Sequence, residues 1–159
     1  MPAFTEYASM VDNVLSRMVD DLNDNKIGPH QWVYVRGSAF VYVELGEVEM
    51  ADRTSGYFQA FAPICELPET NKVGFLEEVM RLNHELAGPF FALYKNYVLI
   101  KMIRDVTGLD EQEIEHIIRT VGLVGDKLDN PLIRIHATSK INVTMPLIEE
   151  MAKVKHPKL

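Results

Sequence analysis

Three strand-like segments that follow one another constrain the fold of this chain more than any other feature. Residues 31–36, 39–45 and 57–64 are rich in aromatic and β-branched side chains. Gly37-Ser38 is the first turn, and the second strand can extend over residues 47–51 before a polar turn at residues 52–56. Consecutive strands with short connections pair antiparallel, because a parallel pair requires a long crossover. We therefore expect an antiparallel meander at the centre of the fold.

Apolar residues at helical spacing predict three helices around these strands. The first covers about residues 5–23, and the last begins after Asp110, an N-cap residue that Glu113 follows at the spacing of a capping box. The middle helix ends before Gly88-Pro89. It carries these residues on one face: Phe75, Leu76, Val79, Met80, Asn83 and Leu86.

A second hairpin lies between the last two helices. Residues 90–94 and 97–106 have strand character, and Lys95-Asn96 forms the two-residue turn between them. The order of elements is thus α-βββ-α-ββ-α. We expect an α+β fold in which one antiparallel sheet carries the helices on one face.

The apolar stripe of the last helix runs from Ile114 to Ile135, across Asn130-Pro131, which we expect to kink or restart the helix. Gly122 and Gly125 lie within the stripe, either for close packing against the sheet or for the close approach of a partner helix. Because so long a stripe exceeds what one sheet usually covers, we predict a homodimer with Gly122, Gly125 and Leu128 at its interface.

The order of elements and three local segments resemble one family. Residues 76–83 (LEEVMRLN), 90–102 (FFALYKNYVLIKM) and 110–126 resemble the second helix, the paired strands and the final helix of class I type III secretion chaperones and of the related YbjN-like proteins. The resemblance implies a homodimer without catalytic activity that binds another protein. Residues 1–140 would form this chaperone-like domain, and residues 141–159 a C-terminal extension in which Pro146 can open a short helix.

Charge and cysteine content narrow the classes of partner. The net charge is -7, which disfavours nucleic acid, since duplex-binding proteins carry a basic surface. The single cysteine, Cys65, cannot form an intrachain disulfide. No apolar stretch is long enough to span a membrane, and the first residues do not have the pattern of a signal peptide. We expect a cytoplasmic protein.

The residue types that carry chemistry are scattered. No two histidines have metal-ligand spacing, no glycine-rich phosphate loop occurs, and Cys65 has no base near it in sequence. We therefore predict neither an enzyme nor a bound metal or cofactor. Two other functions remain open. One is a small-molecule-binding or enzymatic domain whose site sequence does not reveal, and the other is a structural subunit of a larger assembly.

Aromatic residues on the predicted strands suggest where a partner would bind. Alternation places about half of them away from the core, and an exposed aromatic face is typical of a protein-binding surface. We predict that another protein or an extended peptide lies across the strand face and the hairpin of residues 90–97. Tyr34, Tyr42 and Tyr94 are the predicted contact residues.

Overall fold

The computed structural model describes residues 4–155. Over these residues the fold is α+β and consists of a six-stranded antiparallel sheet and five helices. The helices are α1 (Phe4–Ser16), α2 (Leu22–Asn25), α3 (Lys72–Glu85), α4 (Glu111–His136) and α5 (Met145–Ala152). The strands are β1 (Lys26–Gly28), β2 (Gln31–Arg36), β3 (Ala39–Glu49), β4 (Thr54–Glu66), β5 (Phe90–Tyr94) and β6 (Tyr97–Asp105).

The sheet has the strand order β1-β2-β3-β4-β6-β5, so β1 and β5 are its edges. The predicted meander is β2-β3-β4, and the predicted hairpin is β5-β6. The predicted first helix, residues 5–23, is too long, because α1 ends at Ser16, and the sequence prediction missed α2 and β1, which follow it. Asp21 begins α2 as its N-cap by accepting a hydrogen bond from the Asn23 N–H.

One face of the sheet, which we call the helical face, packs against α1, α3 and α4. It includes Tyr34, Val41, Ala62, Ile100 and Phe91, which lie in one row across five strands. The core on this face is continuous and contains side chains from α1, α3 and α4, as one sheet with helices on one face predicts.

Helix α4 lies across the middle of the helical face. Asp110 caps it by accepting a hydrogen bond from the Glu113 N–H (N to O distance 2.8 Å), and the helix continues through Pro131 without interruption. The apolar stripe packs on the core from Ile114 to Leu132, with Val124 and Leu128 half-buried, whereas Ile135 is exposed to solvent. The sheet and α1 thus cover this stripe within one chain, so its length does not by itself require a second chain.

The other face of the sheet, which we call the C-terminal face, corrects the expectation that all helices share one side. Residues 141–152 cross this face, and Ile148, Met151 and Ala152 of α5 are buried against it. The side chains of Tyr42, Phe61 and Leu99 form the floor beneath them. These rows are apolar and aromatic, so leaving them in water would be unfavourable, and the C-terminal segment covers them.

Candidate protein-binding surface

Four exposed apolar side chains form a surface on α3 and the neighbouring edge strand β5. The exposed fractions are 69% for Val73, 37% for Leu76, 66% for Met80 and 50% for Leu93. Val73, Leu76 and Met80 repeat at three- and four-residue spacing, so they lie on one side of α3. We call these four residues the α3 surface. Contiguous apolar residues of this kind mark sites of protein interaction more often than isolated ones do.

The apolar face that sequence predicted for this helix divides into a buried part and an exposed part. Phe75 and Val79 are buried in the helical-face core, whereas Leu76 and Met80 are exposed beside them. Between α3 and β5 lies a cavity of about 210 Å³ whose walls include Phe75, Met80 and Leu93. The exposed residues therefore border a cavity whose other walls are core side chains such as Phe75 and Val79.

Two opposite charges accompany the α3 surface. Glu77 and Arg81 line the same depression as Val73, Leu76 and Met80. Among residues 4–155, neither Glu77 nor Arg81 forms an ion pair. An acid and a base on one helix face, both without a partner in these residues, can pair with their counterparts on a copy of the same surface related by a two-fold axis.

Asn83 closes the outer edge of the sheet beside this surface. The Phe91 N–H donates to Asn83 Oδ1 (N to O distance 2.6 Å), and Asn83 Nδ2 donates to the Phe91 carbonyl (3.3 Å). The side-chain amide thus pairs with β5 as a neighbouring strand would, on the side away from β6. Blocking an edge in this way limits strand addition. The sequence placed Asn83 at the end of the helix but did not reveal that Phe91 is its hydrogen-bond partner.

The tyrosines predicted to contact a partner occupy three different environments. Tyr34 is buried on the helical face against α4, and Tyr42 is fully buried on the C-terminal face beneath α5. The expectation that they lie on an exposed face is wrong, because each face of the sheet has its own cover. Tyr94 is half-buried, and its hydroxyl donates to Glu150 Oε2 (3.3 Å). Their role in binding stays a prediction.

The residues predicted at a dimer interface are on the inner side of α4. A Cβ atom at Gly125 would lie 3.2 Å from the Cβ of Ala39, and one at Gly122 would lie 3.3 Å from Cδ of Arg36. Leu128 is partly buried against the same core. Close packing on the sheet therefore accounts for both glycines, which was one of the two interpretations left open by the sequence.

A group of polar side chains lies beneath the C-terminal segment. Gln59 is fully buried, and its Nε2 donates to Glu44 Oε2 (2.6 Å) and to the Ala152 carbonyl (2.8 Å). Within residues 4–155, Oε1 of Gln59 is buried without a hydrogen-bond partner, whereas the buried hydroxyl of Tyr42 lies beside the Glu44 carboxylate. Burial, followed by the charge of Glu44, raises the pKa of Tyr42 and of Tyr57 above the usual tyrosine value. Each unpaired buried group costs about 1–3 kcal/mol of stability.

Cys65 has the properties of a structural residue. The side chain is fully buried, and burial, followed by the charges of Asp129 and Glu66, raises the pKa of the thiol to about 12. A nucleophilic cysteine needs the opposite shift. Within residues 4–155, no group of three or more histidine, cysteine or acidic side chains could hold a metal ion. None of the helices in residues 4–155 combines the length and the hydropathy that a membrane-spanning helix requires.

Comparison with known proteins adds no further assignment. No protein-family model matches the sequence, and no curated protein matches it. The arrangement of the α3 surface, the blocked β5 edge and the covered C-terminal face is therefore the basis on which function can be argued.

Proposed function

We propose that this protein is a non-enzymatic protein-binding module of the chaperone-like or regulatory kind, and that it forms a homodimer through the α3 surface. The observation that carries the proposal is the exposure of Val73, Leu76, Met80 and Leu93 on one contiguous side of the molecule. The chaperone-like or regulatory role rests on the resemblance of the element order and of residues 76–83, 90–102 and 110–126 to secretion chaperones and YbjN-like proteins.

A second copy is the occupant that fits this surface best. A two-fold interface requires one patch that is complementary to itself. The α3 surface meets this requirement because its apolar centre is flanked by one acid, Glu77, and one base, Arg81, so each charge can meet its opposite on the other chain. Helix α3 has 14 residues and is about 21 Å long, which is enough for two copies to pack side by side.

The first experiment measures mass in solution by light scattering at several protein concentrations. Replacing Met80 with Glu places a charge at the centre of the proposed interface. An apolar anchor contributes about 2 kcal/mol or more, so the dissociation constant should rise about 30-fold or more. Val35→Glu is the matched control, because Val35 is 61% exposed and lies on β2, which three strands separate from β5. The control should keep the wild-type dissociation constant.

Charge reversal provides a second, independent test of the two-fold geometry. Glu77→Arg and Arg81→Glu should each weaken the dimer, because each creates like charges across the axis. The double variant should restore it, since the opposite charges face each other again. A wild-type protein that stays monomeric even at a concentration about 100 times the lowest one used for light scattering would remove the dimer from the proposal. Equal loss in Met80→Glu and Val35→Glu would remove the α3 surface as its interface.

A further inference from the structure

The C-terminal segment covers a core that is separate from the main one. The helical-face core includes α1, α3, α4 and one side of the sheet, and no residue from 134 to 155 belongs to it. The second core joins Ile141, Ile148, Met151 and Ala152 to the opposite side of the sheet. The sheet and its three long helices thus form two layers, on which residues 141–152 lie as a third layer.

Few hydrogen bonds hold this segment to the rest of the described chain. Between the end of α4 and the start of α5, residues 138–144 have no regular structure. Two hydrogen bonds fix the beginning of this connection to β4, both at Glu66: its N–H donates to the Ser139 carbonyl (2.9 Å), and its carbonyl accepts from the Thr138 hydroxyl. Helix α5 has eight residues, too few to be stable alone, so its helical form depends on the surface beneath it.

Contacts between α5 and the sheet are mainly apolar. The polar ones are those of the Gln59 amide with the Ala152 carbonyl and of the Tyr94 hydroxyl with Glu150. Within residues 4–155, Gln59 Oε1 is buried without a hydrogen-bond partner beneath the segment, and the Tyr42 hydroxyl is buried beside Glu44. Lifting the segment would allow water to reach both groups.

The rim of the C-terminal face has a charge preference at the end of α5. A depression there is lined by Glu44 and Glu47 of the sheet and by Glu149, Lys153 and Lys155 of the segment, and Lys153 pairs with Glu150 of the segment itself. An occupant whose apolar helix is followed by basic residues places positive charge beside Glu44 and Glu47, and the chain's own segment has Lys153 and Lys155 at these positions.

We propose that the C-terminal face is a binding site for an amphipathic helix of a partner protein, with basic residues after its apolar positions, and that residues 141–152 occupy this site as an internal ligand. The proposal rests on the protein-binding function proposed above but uses a surface distinct from the α3 surface. The partner's helix would place apolar side chains where Ile148 and Met151 lie and would gain access when the segment lifts. Because residues 138–144 link the internal ligand to α4, its effective concentration at the site is high. The internal ligand therefore competes with the partner's helix and lowers the partner's apparent affinity.

The test uses the full chain and a fluorescent synthetic peptide of residues 141–155 as the probe. Ile148→Asp in the chain places a charge among the apolar side chains that surround Ile148 and should release the internal ligand. Anisotropy titration should then give binding at least tenfold tighter than to the wild-type chain. Val143→Asp is the matched control, because Val143 is in the same segment but exposed, and it should bind the peptide as weakly as wild type. The peptide carrying Ile148→Asp should not bind either chain.

Two further arms identify the chemistry of the occupant. A peptide in which Lys153 and Lys155 are both replaced by Glu should bind the Ile148→Asp chain at least fivefold more weakly, and added salt should reduce this difference. Met80→Glu, which tests the dimer, should leave peptide binding unchanged. Failure of the dimer and failure of the second site are therefore separate results.

Three outcomes would overturn the proposal. One is an Ile148→Asp chain that keeps its far- and near-ultraviolet circular dichroism but does not bind the peptide. Another is a wild-type dimer that is lost in Ile148→Asp but retained in Met80→Glu, which would assign the site to the segment of a second copy. Should Ile148→Asp fail to fold, hydrogen exchange of the wild-type chain decides. The α5 amides should exchange at least 100-fold faster than those of α4 around Val121, and equal protection would make the segment an inseparable part of the core.

Discussion

Replacing each of the two glycines inside α4 with alanine provides a matched pair of perturbations. Both are helix-interior positions, so alanine should gain about 1 kcal/mol of helix propensity at either one. The neighbours differ. At Gly122 the nearest atom to a new Cβ is Cδ of Arg36, 3.3 Å away, and this flexible side chain can move. At Gly125 the nearest atoms are the Cβ atoms of Ala39 and Ala62, at 3.2 and 3.3 Å, which are fixed to the strands.

The net effect follows from these two contributions. Overpacking of a well-packed core costs about 1–3 kcal/mol. Gly125→Ala should therefore lower the free energy of unfolding by up to about 2 kcal/mol, because the strain exceeds the propensity gain. Gly122→Ala should raise it by about 0.5–1 kcal/mol, because little strain opposes the gain. The two variants should differ by about 1 kcal/mol or more, with opposite signs relative to wild type.

Guanidinium denaturation followed by far-ultraviolet circular dichroism measures both values, at one protein concentration so that self-association does not contribute. Equal stabilisation by the two substitutions would refute the close contact of Gly125 with the sheet. If both substitutions instead weakened the dimer at unchanged stability, the glycines would lie at an interface between chains, as the sequence allowed.

Two further predictions concern Asn83 and Cys65. Asn83→Leu should lower the free energy of unfolding by about 1–3 kcal/mol, because it removes both hydrogen bonds to the Phe91 backbone. The control is His84→Ala, a substitution at the exposed neighbouring residue, which should change the free energy of unfolding little in the same denaturation assay. Equal effects of the two substitutions would contradict the pairing of Asn83 with the edge of β5. The Cys65 thiol should not react with a thiol reagent at pH 8 until denaturant is added. The reason is that the thiol is buried and, with its pKa of about 12, stays protonated at that pH. Rapid reaction of the native protein would instead support a redox role.

The strand and helix order was readable from sequence because the signals involved are local. Asp110 and the Glu113 N–H are three residues apart, so the cap that begins α4 depends on nothing distant. Alternation within β2, β3 and β4 and the short turns between them specify antiparallel pairing in the same local way. Short elements were missed, because four residues of α2 and three of β1 carry too little periodicity to stand out from a polar segment.

Exposure was less accessible to sequence than secondary structure. Leu76 and Met80 belong to the same apolar face as Phe75 and Val79, yet only the second pair is covered. The spacing of apolar residues shows which side of α3 faces the sheet, but it does not show how much of that side the sheet covers. The α3 surface is thus defined by where β5 and the sheet end.

By itself, the sequence of this protein determined an α+β chain with an antiparallel sheet, three long helices and a capped final long helix, because propensities, caps and turns act between neighbours in the chain. Only the tertiary structure decided that the C-terminal segment covers Tyr42, and that Asn83 pairs with the edge of β5. These contacts join residues far apart in sequence. Their partners are selected by which apolar rows and backbone edges remain uncovered once the sheet has formed, a property of the assembled fold rather than of any segment.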